Sequence, residues 1–83
     1  MKPTHQSIDS QQDVIAWQVS IYSAIPIWVS RIFLRVGSTG IWQGTGTHGE
    51  PVVAQDGDWI IRSEDRAFVL TDSEFKNVFR AIP

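Results

Sequence analysis

The dipeptide Asp56-Gly57 stands between two apolar runs, Pro51-Val52-Val53-Ala54-Gln55 and Asp58-Trp59-Ile60-Ile61-Arg62. Few backbone conformations reverse a chain in two residues. The primed turns that do so require positive φ, which glycine adopts without steric cost. The spacing therefore predicts two strands joined by a tight turn, and with them an antiparallel sheet. A second reversal is expected at Ser63-Glu64-Asp65-Arg66, with a further strand at Ala67-Phe68-Val69-Leu70.

Other segments carry different periods. In Val14 to Ser20 the residues Ile15, Trp17 and Val19 alternate, which favours a first strand. From Ile25 onward Trp28, Val29, Ile32, Phe33 and Val36 recur at helical spacing, with Pro26 tolerated in the first turn and Gly37 as the stop. Ile41-Trp42-Gln43 reads as a short strand among glycines. Thr71 and Glu74 have the spacing of a capping box, and Phe75, Val78, Phe79 and Ile82 continue it as an amphipathic helix to the end of the chain. The expected fold class is α+β, a small antiparallel sheet of about four strands packed against two short helices. Residues 1–13 have no apolar period and are expected to be a flexible N-terminal arm, with 14–83 forming a single α+β domain.

Composition narrows the functional classes. Eighty-three residues make one small domain, and a domain of this size buries only about 60% of its unfolded surface. There is no cysteine, so disulfides and thiolate metal sites are excluded, in keeping with a reducing compartment. The net charge is −2, and residues 41–83 carry four basic against seven acidic side chains. No basic cluster is available to neutralise phosphates, so nucleic acid is not an expected partner. The most apolar stretch, Ala24 to Leu34, contains Pro26 and Arg31 and is about half the length of a membrane span. The expectation is a soluble, cytoplasmic protein with no membrane partner.

Each chemical motif has a structural alternative. Gly44-Thr45-Gly46-Thr47-His48-Gly49 matches the G-x-G-x-x-G string that cradles pyrophosphate between a strand and a helix. Here Glu50-Pro51-Val52-Val53 follows, a strand start with no helix N-terminus, so the string reads as a glycine loop between strands. Metal sites need three or four convergent ligands, and His48 beside Glu50 supplies at most two. Neither histidine has the context of a nucleophile triad, and Asp56, Asp58, Glu64 and Asp65 occupy turns where carboxylates are solvated. No enzyme activity, cofactor or metal is expected.

Four tryptophans remain. Trp17, Trp28 and Trp59 lie within periodic elements and are expected in the core or half-buried against it. Trp42 lies among glycines, where its ring is either a plug at the sheet edge or an exposed anchor for a partner or a base. Trp42, Thr45, Thr47 and His48 are accordingly the candidate binding residues.

The C-terminal box Gly57-Asp58-Trp59-Ile60-Ile61-Arg62, the strand around Phe68 and the segment Asp72 to Phe79 resemble a family of small phage and prophage proteins. Asp13 to Gln18 is similar to that family's opening strand, and Ile25-Pro26-Ile27-Trp28-Val29 to its helix start. Two departures are visible: Ser63 to Arg66 lacks glycine, and Thr71-Asp72-Ser73 lacks proline. The resemblance implies a phage or prophage origin and transfers no catalytic residue. It leads to the expectation of a small non-enzymatic accessory protein that binds a bacterial host protein, such as a defence or regulatory factor, and inhibits it. The alternative is a small-ligand module for a nucleotide or anion, with Trp42 stacking and the Gly44 to Gly49 amides holding the anion. A homodimer is a further expectation, because a thin layer with an open sheet edge often completes its core in a second copy.

Overall fold

A computed structural model describes residues 2–20, 22–36, 41–45, 49–63 and 66–82. Among them the chain runs β1 (His5–Ser7), β2 (Asp13–Gln18), α1 (Ile27–Ile32), β3 (Phe33–Arg35), β4 (Trp42–Thr45), β5 (Pro51–Ala54), β6 (Trp59–Ser63), β7 (Arg66–Leu70), α2 (Asp72–Val78) and β8 (Phe79–Ala81). The strands form two sheets, one of order β7-β6-β2-β1-β8 and one of order β3-β4-β5, with every pairing antiparallel. The α+β expectation of one sheet of about four strands under two helices is therefore overturned. Strand dominates, and the partner that covers one face of the first sheet is a second sheet.

The period of two explains how one sheet serves two cores. Trp17 pairs with Ile60, which pairs in turn with Val69, and these side chains share one face. Ala16, Ile61 and Phe68 form the neighbouring row on the opposite face. On the first face Trp17, Val19 and Ile60 pack with Trp28 and Val29 of α1 and with Phe33, Trp42 and Ala54 of the three-stranded sheet. On the second, Val14 and Ile61 pack with Phe75 of α2 and Phe79 of β8. Ile60 and Ile61, adjacent in sequence, are both fully buried, one in each core. Each such side chain contributes about 1.5–3 kcal/mol by leaving water.

The Asp56-Gly57 turn forms, but it does not make a hairpin. Gly57 has φ +92°, Asp58 N–H donates to the Gln55 carbonyl at 2.9 Å, and the Asp58 carboxylate accepts from Gln55 N–H at 3.0 Å. β5 then pairs with β4, whereas β6 pairs with β2 and β7. The turn is a corner that passes the chain between sheets. Val19 fastens it by donating to the Asp58 carbonyl and accepting from Gly57 N–H.

Both helices stop earlier than their periodicity predicts. α1 ends at Ile32 and α2 at Val78, and the next residues, Phe33 and Phe79, are extended (φ −126° and −124°) while still donating to the carbonyls of Val29 and Phe75. Each phenylalanine keeps its ring in a core as its backbone joins a sheet. An isolated helix of this length is marginal, so pairing with β4 or β1 prevails over another helical turn. The N-terminal arm is likewise corrected. His5–Ser7 lies between β2 and β8, with His5 opposite Val14 and Ala81. Backbone pairing alone requires no apolar period, which is why this strand is invisible in the sequence pattern.

Candidate functional site

The three-stranded sheet presents its outer face to solvent. Phe33, Trp42, Gly44 and Ala54 point inward, so the alternate residues Leu34, Gln43, Thr45 and Val53 point outward. Leu34, Gln43 and Val53 form one cross-strand row, in which Leu34 is 75% and Val53 49% exposed. Val36 continues the ladder, donating to the Ile41 carbonyl at 2.9 Å, and is also exposed. Beside this row lies a shallow concavity of about 350 Å3 whose lining includes Ile32, Leu34, Gln43, Thr45, Gly49 and Pro51. No ionisable side chain lines it among the described residues.

This face depends on one close approach. A Cβ on Gly44 would stand 2.8 Å from the Ile32 carbonyl oxygen and 2.9 Å from the Phe33 ring. Glycine therefore lets β4 lie against the α1–β3 junction, where Phe33 pairs with Gly44 and Leu34 with Gln43.

The candidate binding residues separate. Thr45 ends β4 on the outer face, exposed and lining the concavity. Trp42 is 6% exposed and belongs to the core, its ring edge-on to Trp17 at a centroid distance of 6.0 Å. It is not an exposed anchor or stacking platform, because β4 is the central strand and Trp42 occupies its inward side. Thr47 and His48 lie outside the described residues, as does Gly46. The glycine string is a connection between β4 and β5, whose ends pair as Thr45 with Pro51, and Gly49 has φ +81°. Leu34 and Val53 were missed because their spacing was absorbed into a predicted helix and a predicted hairpin. The outward alternation of Ile32, Leu34 and Val36 was the available signal.

On the opposite side of the molecule α2 covers an aromatic cluster. Trp59 stacks on Phe75 with centroids 3.9 Å apart and planes at 6°, and His5 meets both rings edge-on at about 5 Å. Desolvation among these rings pushes the His5 pKa below its ordinary value. Asp72, the first residue of α2, accepts from the Trp59 indole N–H at 2.9 Å and pairs with Lys76 at 2.9 Å. The indole bond first, and then Lys76, hold the Asp72 carboxyl below the usual carboxylate range. The capping box also forms: Glu74 N–H donates to Thr71 Oγ1, and Glu74 Oε1 accepts from Thr71 N–H. The Thr71 backbone and hydroxyl lower the Glu74 pKa.

Among the described residues no group of three or more His, Asp or Glu side chains is gathered as a metal site. No helix among them is long and apolar enough to cross a membrane. Comparison with protein-family models, curated proteins and solved structures returned no match to this chain.

Proposed function

We propose that this protein is a non-enzymatic binding module of the phage or prophage accessory type, and that it docks a bacterial host protein on the outer face of β3-β4-β5. The observation that carries the reading is Leu34, 75% exposed in a row with Val53 on the three-stranded sheet. Aliphatic side chains held at fixed height on strands are suited to fill pockets in a partner, and their ordering cost is already met by the fold. The concavity beside them has no charged lining among the described residues, so the partner chemistry is an uncharged apolar protein surface. The edges of this sheet, β3 and β5, have three and four residues, short edges on which to template a continuous sheet with a second copy. Contact through side chains, rather than added strands, is the mode this geometry supports.

The test compares wild type with Leu34→Glu and Val53→Glu in capture from bacterial lysate, followed by reconstitution with the purified partner. The expected result is a stoichiometric complex that both variants weaken at least tenfold while Val78→Ser, on exposed α2, leaves it intact. Equal capture by Leu34→Glu overturns the docking face. A wild-type dimer in light scattering that Leu34→Glu converts to monomer reassigns the face to self-association.

A further inference from the structure

We propose that a second concavity, on the α2 side of the five-stranded sheet, binds an organic monocarboxylate with an aromatic or branched apolar body. It lies beyond the docking face, with the five-stranded sheet between them. Its volume is about 390 Å3, within the roughly 300–1,000 Å3 typical of small-molecule sites. Val14, Phe68 and Phe79 give it an apolar floor, with the Phe68 and Phe79 rings 6.4 Å apart and tilted by 35°. Ser7, Ser63 and Arg66 supply polar groups at its rim.

Gln12 also lines the cavity and brings an amide oxygen that can only accept, while the hydrogen bonds at the rim leave donors on the other polar groups. Gln12 Nε2 donates to Ser63 Oγ at 2.9 Å, so the Ser63 hydroxyl accepts from the protein and retains its proton for something else. Ser7 Oγ faces the same way chemically, because Ser10 N–H points to it at 3.5 Å. Arg66 carries five N–H donors and no acceptor, and among the described residues no carboxylate is paired with it. No Asp or Glu lines the cavity among the described residues; Glu64 and Asp65, which connect Ser63 to Arg66 in the sequence, lie outside them.

Two hydroxyl protons and one planar guanidinium facing a single cavity select an anion, and the two-pronged geometry of arginine matches a carboxylate. One cation on an aromatic floor, with the acidic pair Glu64-Asp65 next to it in the sequence, fits a single negative charge on an apolar body better than a phosphate, which would demand more positive charge and more donors. The free acid of a small molecule and the C-terminal carboxylate of a peptide ending in an aromatic residue share this chemistry.

The test uses the full chain, isotopically labelled, and four probes: 2-naphthoate, 2-naphthamide, N-acetylphenylalanine and N-acetylphenylalanine amide. The expected result is that millimolar 2-naphthoate shifts the amide resonances of Ser7, Ser63, Arg66 and Phe68, and that the amide binds at least tenfold more weakly. N-acetylphenylalanine binding as well, with its amide failing, assigns the site to chain termini; binding of naphthoate alone assigns it to small acids. Arg66→Gln, at an exposed position, should lower carboxylate affinity about ten- to a hundredfold, the range for a charge-assisted hydrogen bond. Arg62→Gln, on the other face of the same hairpin, should leave affinity unchanged. No shift with either carboxylate overturns the site, and equal binding of acid and amide, or by Arg66→Gln and wild type, overturns the carboxylate assignment.

Discussion

Replacing Gly44 by alanine tests the packing on which the docking face rests. The added methyl would meet the Ile32 carbonyl oxygen at 2.8 Å and the Phe33 ring at 2.9 Å, where ordinary contact begins at 3.4 Å. β4 must therefore withdraw from the α1–β3 junction by roughly 0.6 Å, or the ring must turn in a core where Phe33 is 2% exposed. Overpacking of this kind costs about 1–3 kcal/mol. Alanine also restricts the unfolded chain, which returns about 0.4–1 kcal/mol. At the midpoints of the two ranges the net expectation is a loss of about 1.3 kcal/mol, and each kcal/mol corresponds to a fall in Tm of roughly 4–8 °C for a domain of this size. Urea denaturation followed by tryptophan fluorescence provides the measurement, with Thr45→Ala, exposed on the next residue, as a control expected within about 0.5 kcal/mol of wild type. Phe33→Leu in the Gly44→Ala background should recover only part of the loss, because the Ile32 carbonyl is backbone and stays where it is. Unchanged or increased stability for Gly44→Ala would refute the close approach.

Three further outcomes are expected. Phe75→Ala removes a 3%-exposed ring that stacks on both Trp59 and Phe79 and should destabilise by about 3–5 kcal/mol, with a change in Trp59 fluorescence; a loss below 1 kcal/mol would mean that α2 is not anchored by this ring. Stability should fall with acid in two stages that chemical denaturation across pH can resolve. The His5 pKa is lowered on folding, so its contribution is complete above the unfolded value of 6.5 and is lost as pH drops through the folded one. Asp72 and Glu74 are also lowered, so their contributions persist to more acidic pH and are lost below their ordinary values of 3.8 and 4.5; His5→Phe should abolish the first stage and leave the second. Gln11 has φ +57°, and glycine there should stabilise the β1–β2 turn by up to about 1 kcal/mol, whereas a lower Cm for Gln11→Gly would show that its side chain compensates the strain.

Legibility in the sequence followed the range of the interactions. The capping box at Thr71 and Glu74, the positive φ at Gly57 and the alternation of Ile15, Trp17 and Val19 are decided within a few residues, and each forms as its pattern predicts. The outcome at Trp42 was open, since a ring among glycines is compatible with a core or an exposed surface, and the inward side of a central strand decided it. The candidate site was less legible still. Thr45 was identified, but Leu34 and Val53 acquire meaning only when β3 and β5 flank β4.

By itself the sequence determined where this chain can bend and which short runs are extended, because φ preferences, caps and side-chain alternation are local properties of residues such as Gly57, Thr71 and Trp17. Tertiary structure decided what those runs pair with. Asp56-Gly57 specifies a reversal with equal force whether its flanking strands meet each other or two different sheets. Val19 hydrogen-bonding to that turn, and β4 and β2 offering their edges on either side of it, made it a corner. Backbone hydrogen bonds carry no record of side-chain identity, so the placement of His5–Ser7 between β2 and β8, and the exchange of a last helical turn for a strand at Phe33 and Phe79, were settled by which partners the fold brought within reach.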